Sequence, residues 1–135
     1  MPLITWEAKD EVNVRRIDDQ HRALVALVNE LHQAMRLRGN REALREILTR
    51  LIDFTRAHFA AEERLMLEHV YPEYENHRSQ HRALLDHIAE LDKQFQEGDI
   101  LLSFAIALDL KGWAINHITF ADKPLGKFLN SRGVF

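Results

Sequence analysis

Residues 77–81 read His77-Arg78-Ser79-Gln80-His81, which places two histidines four positions apart in a very polar part of the chain. If this part is an α-helix, residues i and i+4 lie on one face, so that both imidazoles could bind one metal ion. For an isolated pair, two solvated side chains are the better explanation. The choice depends on whether other residues of the metal-ligand type lie at the same place.

Four segments of the chain carry apolar residues with the period of an α-helix, and they run from about 17 to 35, 42 to 68, 73 to 96 and 100 to 121. The stretches between them contain the residues that end and begin helices: Arg38-Gly39-Asn40, His69 to Pro72, and Glu97-Gly98-Asp99. Pro124 and Gly126 are expected to end the fourth helix.

Short connections of this kind favour antiparallel neighbours in a helical protein. We therefore predict an all-α fold, an up-down-up-down antiparallel four-helix bundle. The length is that of one domain over residues 1–135. Within it we expect an extended N-terminal arm (1–16) that Trp6 anchors, the bundle itself (17–123) and a C-terminal segment (124–135).

The composition excludes several classes of function. Of the 135 residues, 46% are apolar, and the net charge of −3 argues against nucleic acid or an anionic membrane as a partner. The chain has no cysteine, which excludes disulfides, iron–sulfur clusters, thiolate zinc sites and a cysteine nucleophile. We see no leader pattern and no apolar run of about 18 residues, so we expect a cytoplasmic protein without a membrane span.

Polar residues interrupt the apolar stripes that should face the core of the bundle. They are His21 in the first segment, His58 and Glu62 in the second, His77 and His81 in the third, and His117 in the fourth. A buried polar group without a partner costs about 1–3 kcal/mol, and an unpaired carboxylate costs far more. Such a core would be very unstable unless a metal centre bound these groups together.

The order of the helices places these residues in one layer, because the starts of helices one and three share a level with the ends of helices two and four. Asp122, five positions after His117, lies about 140° further around an α-helix and should approach the site from another angle. Seven nitrogen and oxygen ligands are too many for one ion. They suit two ions bridged by carboxylates, with iron favoured and zinc, manganese or copper as alternatives.

The set resembles the hemerythrin family, in particular the single-domain bacterial hemerythrins. The family pattern is an isolated His, then HxxxE, HxxxH and HxxxxD. It corresponds here to His21, to His58 with Glu62, to His77 with His81, and to His117 with Asp122. Trp6, Tyr71-Pro72 and Trp113 also look like the family, so the resemblance covers essentially the whole chain.

The resemblance implies two iron ions per chain with a bridging oxo or hydroxo group. By resemblance, one iron would be bound by His77, His81 and His117, the other by His21 and His58, and both would be bridged by Glu62 and Asp122. The implied function is non-enzymatic: reversible dioxygen binding in a dry pocket, for storage, delivery or sensing. We expect a monomer whose partners are dioxygen and an oxygen-consuming enzyme.

One position departs from the family pattern. A bulky aliphatic residue commonly follows the tryptophan of the fourth helix, over the oxygen pocket, whereas this chain has Trp113-Ala114. We expect both residues to line that pocket and the small Ala114 to let ligands enter more easily. A di-iron redox enzyme (an oxidase, or a scavenger of peroxide or nitric oxide) therefore stays open as an alternative, and iron storage or a structural metal bundle as a third.

Several other polar residues receive no ligand role. Glu63 is rotated about 100° from Glu62 and is expected on a solvated face. Asp18 and Gln20 either orient His21 or cap the first helix. The remaining histidines are read as surface or core residues: His32, His69 and His87.

Overall fold

The computed structural model describes residues 2–36, 40–97 and 104–135, and the side chains of 104–107 fall outside this description. In this part of the chain, five α-helices follow one another: α1 (Arg15–Arg36), α2 (Arg41–Glu68), α3 (Tyr74–Gln96), α4 (Phe104–His117) and α5 (Lys123–Ser131). A π-helical turn (Ile118–Asp122) joins α4 to α5 without a break, so that the two together form the fourth helix of the bundle. The predicted all-α, antiparallel four-helix bundle is confirmed.

The first three helices agree with the predicted segments to within two residues at each end. Asn40 begins α2 as its N-cap, because its side-chain oxygen accepts the Ala43 N–H at 2.7 Å. Arg38-Gly39 and Gly98-Asp99 of the predicted breaks lie outside the described residues, as does the predicted start of the fourth helix near residue 100. None of the described helices is both long enough and apolar enough to cross a membrane.

The prediction that Pro124 and Gly126 end the fourth helix is wrong. Pro124 has no N–H for the carbonyl four residues earlier, and the chain widens just before it into the π-helical turn, where the Lys123 N–H bonds to Ile118 O. Pro124 itself lies in the first turn of α5, where a missing N–H breaks no helical hydrogen bond. The division of the chain into an arm, a bundle and a C-terminal segment stays a prediction.

Among the described residues, the apolar core consists of two clusters. The larger one contains residues of α1, α2, α3 and α4, among them Leu24, Leu51 and Ile88. The smaller one closes the other end of the bundle with residues from the arm, α1, α2, the π-helical turn and α5: Val12, Val14, Ile17, Met66, Ile118, Leu125 and Leu129. Because α5 supplies Leu125 and Leu129, the continuation of the helix beyond Pro124 covers a side of the core that would otherwise meet water.

The N-terminal arm is bound to the bundle along its length. Ile4 donates its N–H to Asn29 Oδ1 at 2.8 Å and accepts from Asn29 Nδ2 at 2.9 Å. The carboxylate of Asp18 accepts the N–H groups of Val12 at 2.8 Å and Asn13 at 3.1 Å. Asp18 therefore holds the arm, and its predicted alternative role of orienting His21 is wrong. A 3-10 turn (Ala8–Asp10) lies within the arm, before α1 begins at Arg15.

Gly126 lies directly against this arm, because a Cβ added there would overlap the carbonyl oxygen of Val12 and lie 3.0 Å from its Cβ. At Gly112, in α4, an added Cβ would meet nothing within 4 Å. We expect Gly126→Ala to destabilise the protein by about 1–3 kcal/mol, and Gly112→Ala to stabilise it by about 0.5–1 kcal/mol through helix propensity. Urea unfolding at equal metal content measures both, and equal effects would contradict the close approach of the arm.

Candidate metal centre

The seven residues that the sequence singles out as metal ligands come together in one buried cluster. Their ligand atoms fall into two groups, each with all atoms within 4.8 Å of one another. One group contains three histidines and two carboxylates: His77, His81, His117, Glu62 and Asp122. The other contains two histidines and the same two carboxylates: His21, His58, Glu62 and Asp122.

The carboxylate of Glu62 divides its two oxygens between the groups. Its Oε1 lies 3.1 Å from His81 Nε2 and 3.3 Å from His77 Nε2. Its Oε2 lies 3.2 Å from His58 Nε2 and 3.6 Å from His21 Nε2. Glu62 is fully buried on α2, at the centre of the bundle. One oxygen therefore faces the three-histidine side and the other faces the two-histidine side.

Asp122 also divides its two oxygens between the groups. Its Oδ1 lies 3.0 Å from His77 Nε2 and 3.3 Å from His117 Nε2, whereas its Oδ2 lies 2.9 Å from His21 Nε2. Two carboxylates that each present one oxygen to either side have the arrangement expected of ligands that bridge two cations.

These contacts are short, but they lack hydrogen-bond geometry. Within the described residues, ten atoms of the cluster are buried without a hydrogen-bond partner, namely the five histidine Nε2 atoms, the four carboxylate oxygens and His21 Nδ1. Neighbouring ligands of a six-coordinate cation, with bonds of about 2.1 Å, are separated by roughly 3.0 Å. The observed N···O distances of 2.9 to 3.6 Å are close to that spacing. The residues therefore fit a pair of bound cations.

The π-helical turn changes the predicted position of Asp122. An α-helix would place it about 140° around from His117. In the wider turn hydrogen bonds join residues five apart, which directs His117 and Asp122 to the same face. The expectation that Asp122 approaches from a different angle is therefore wrong, although its membership of the cluster was predicted.

In two of the histidines, the Nδ1 atom contacts a polar side chain of a neighbouring helix. His58 Nδ1 lies 2.6 Å from Gln20 Oε1, and His81 Nδ1 lies 3.1 Å from Glu63 Oε2. The prediction that Glu63 lies on a solvated face is wrong, because its side chain is 24% exposed and contacts His81. Gln20 likewise orients His58 and not His21, so these two roles were missed from the sequence.

Aromatic rings enclose the cluster. Phe59 is 2% exposed and stacks on His81, with ring centres 3.8 Å apart and planes inclined by 4°. Trp113 lies parallel to His117, with centres 6.2 Å apart, and Trp6 of the arm lies 6.0 Å from the ring of His21. Phe59 was not singled out from the sequence, where its position next to His58 is the only signal.

A groove between α3 and α4 reaches the cluster from outside at His117. It encloses about 360 Å³ and is mainly apolar, with Trp113, Leu84 and the exposed ring of Phe120 among its lining residues. Ala114 is 3% exposed and is not one of the residues that line this groove. The expectation that Trp113 and Ala114 line an oxygen pocket stays a prediction.

The remaining histidines lie outside both ligand groups of the described part of the chain. His87 Nε2 lies 3.2 Å from Asp109 Oδ2 on the surface, and His32 is buried in α1.

Electrostatics within the cluster favour protonation of His21 and His77 beside the ionised carboxylates. Burial by itself would lower the pKa of His21, but the adjacent Asp122 and Glu62 outweigh it and raise the pKa to about 9. The same balance raises the pKa of His77 to about 9. Burial would raise the pKa of Glu62 and Asp122, yet the surrounding imidazoles hold both below their usual values.

A four-helix bundle whose buried layer of histidines and carboxylates fits two cations defines the class of this protein: a helical bundle built around a metal centre. Within that class, the chain belongs to the hemerythrin family, since the model of the hemerythrin HHE cation binding domain matches residues 12–129.

Individual relatives agree with this assignment. The chain is 33% identical to a bacteriohemerythrin of Methylococcus capsulatus, over 97% of this chain and 100% of the relative. It is also 33% identical to a bacteriohemerythrin of Stenotrophomonas maltophilia, over 91% of this chain and 79% of the relative. The crystal structure of a wild-type hemerythrin superposes with a TM-score of 0.89 at 34% identity, covering 94% of this chain and 98% of the other.

We expect the metal-free protein to lose stability as the pH rises from 6.5 to about 9. The pKa of His21 and His77 is raised from 6.5 to about 9 by folding, so their contribution is complete below pH 6.5 and is lost as the pH passes about 9. Urea midpoints measured between pH 6 and 10 test this. The metal-loaded chain is the control, since its imidazoles are already neutral ligands. A metal-free midpoint that stays level to pH 10 would contradict the assigned charges.

Proposed function

We propose that this protein binds dioxygen reversibly at a di-iron centre, for oxygen storage, delivery or sensing. The observation that carries the proposal is the division of both carboxylates, each of which presents one oxygen to the three-histidine side and one to the two-histidine side. Membership of the hemerythrin family supports iron as the metal.

In this proposal the two positions differ in their number of protein ligands. His77, His81 and His117 hold one iron, and His21 and His58 hold the other, with both carboxylates shared. The first position thus has five protein ligands and the second has four, which leaves the two-histidine position more room for an external ligand. When bound, the iron pair supplies the electrons that make dioxygen binding reversible.

The chain itself orients the ligands and excludes water. Gln20 and Glu63 fix the rings of His58 and His81, so these imidazoles present Nε2 to the centre. The two apolar clusters cover the polar layer from either end of the bundle, and Phe59 covers the face of His81. A dry surrounding prevents water and stray protons from displacing bound oxygen.

A di-iron redox enzyme is the second candidate. The observation that favours it is the groove at His117, through which a small reductant or peroxide could approach the cluster. The histidine-rich ligand set argues against an oxidase that cleaves dioxygen, because fewer carboxylates stabilise high-valent iron less well. For the oxygen-binding protein proposed above, we further propose that it is a cytoplasmic monomer and that it supplies oxygen to an oxygen-consuming enzyme.

The proposal predicts two irons per chain and a visible spectrum that changes on exposure to air and returns when oxygen is removed. Metal analysis of the anaerobically reduced protein, together with spectra before air, after air and after removal of oxygen, tests this. We expect His77→Ala to lose the iron pair, because His77 faces both carboxylates. His87→Ala on the same helix is the matched control, since His87 lies outside the cluster.

A one-way change to a ferric spectrum would favour the redox enzyme over the oxygen carrier. Retention of both irons and of the normal spectrum by His77→Ala would show that the ligand assignment is wrong.

Ala114→Leu is expected to slow the loss of the oxygenated spectrum in air, because three added carbons beside Trp113 restrict ligand and water entry. Ala114 is buried, so the substitution could also cost about 1–3 kcal/mol of stability. Ala89→Leu, which adds the same carbons at an exposed position of α3, is the control. The half-life of the oxygenated spectrum decides the matter, and a half-life that is unchanged or shorter contradicts the gating role.

A further inference from the structure

The residues that contact the Nδ1 atoms of His81 and His58 differ in charge between the two sides of the centre. His81, on the three-histidine side, has the carboxylate of Glu63 at its Nδ1, at 3.1 Å. His58, on the two-histidine side, has the amide oxygen of Gln20 at its Nδ1, at 2.6 Å. One side is therefore supported by a negative charge and the other by a neutral group of nearly the same shape.

Glu63 is held in position for this contact. It lies on α2 next to Glu62, and its Oε1 lies 3.6 Å from Arg78 Nε while its Oε2 faces His81. Arg78 and His81 are three residues apart on α3 and thus lie on one face. Helix α3 therefore presents a guanidinium and an imidazole to the two oxygens of a single carboxylate.

The direction of the proton follows from the geometry. His81 Nε2 faces Glu62 Oε1 in the cluster, so a cation bound there leaves the ring proton on Nδ1, where it is donated to Glu63. A negatively charged acceptor stabilises positive charge on the imidazole more than a neutral amide does, and it raises the basicity of the opposite ring nitrogen. The ring then binds a more highly charged cation more strongly.

We propose that Glu63 is a positioning residue that orients His81 and, through its charge, favours the oxidised state of the iron at the three-histidine position. Gln20 orients His58 without adding charge, so the two-histidine position lacks this bias. The inference rests on the proposed di-iron centre and adds a residue outside the ligand set to it. Glu63 touches neither iron nor oxygen and acts only through His81.

Three substitutions separate orientation from charge. Glu63→Ala removes both and should weaken ferrous iron binding by roughly 10–100-fold in anaerobic competition with a chelator. Glu63→Gln keeps an acceptor oxygen, so iron binding should stay near that of the unaltered chain, while the reduction potential of the centre moves to a more positive value. Gln20→Glu adds the missing charge behind His58 and should move the potential to a more negative value.

The control is Glu46→Gln, which removes the same charge from the same helix at an exposed position that lies near Arg50 and away from the cluster. It should leave both iron binding and potential unchanged. Circular dichroism of each metal-free variant verifies that the bundle has formed, so that weak iron binding is not mistaken for unfolding.

A structural role alone would give a different pattern. If Glu63 serves only as a surface partner of Arg78, Arg78→Gln and Glu63→Ala would lower the unfolding midpoint equally and leave iron affinity and potential unchanged. That result, or a potential in Glu63→Gln equal to that in Glu46→Gln, overturns the inference. If the unaltered chain binds no iron pair, the proposed function itself fails, which the same titration reports separately.

Discussion

The burial of two carboxylates among five imidazoles is the constraint on which the rest of this structure depends. Neither Glu62 nor Asp122 is exposed to solvent, and a buried carboxylate is very costly unless positive charge faces it. No single helix can supply enough partners at that depth. Residues of α1, α2, α3, α4 and the π-helical turn after α4 must therefore meet in one layer, which fixes the alignment of the helices. The arm and α5 then cover the end of the bundle that this layer would otherwise open to water.

Without a bound cation, the positive and negative charges within this layer largely cancel. The raised pKa of His21 and His77 keeps both protonated near neutral pH, and their two charges offset those of Glu62 and Asp122. This pairing of opposite charges offsets part of the cost of burying the seven groups, which the sequence alone would assign entirely to a bound metal. Cations that bind in this layer would replace the protons of these imidazoles.

Much of this arrangement could be predicted from the sequence because it depends on local helical geometry. The pairs His58 with Glu62 and His77 with His81 lie on one face of any α-helix, and the helix order brings them to one level. Two features could not be predicted in this way. The angle of Asp122 depends on a π-helical turn before Pro124, which the α-helical period does not describe. The partners of Gln20 and Glu63 lie on other helices, at a rotation that only packing determines.

Several features lie on the same side of the centre. The three-histidine position has the larger number of protein ligands, the charged partner Glu63 and the stacked rings of Phe59 and Trp113. The groove at His117 opens on this side as well, so a molecule entering it meets a ligand of the position that the protein already fills more completely. An external ligand that needs a vacant coordination position would instead be directed to His21 and His58. Under the proposed function, a substrate that enters the groove meets the more completely filled position, so the alternative of a redox enzyme would also require a route to His21 and His58.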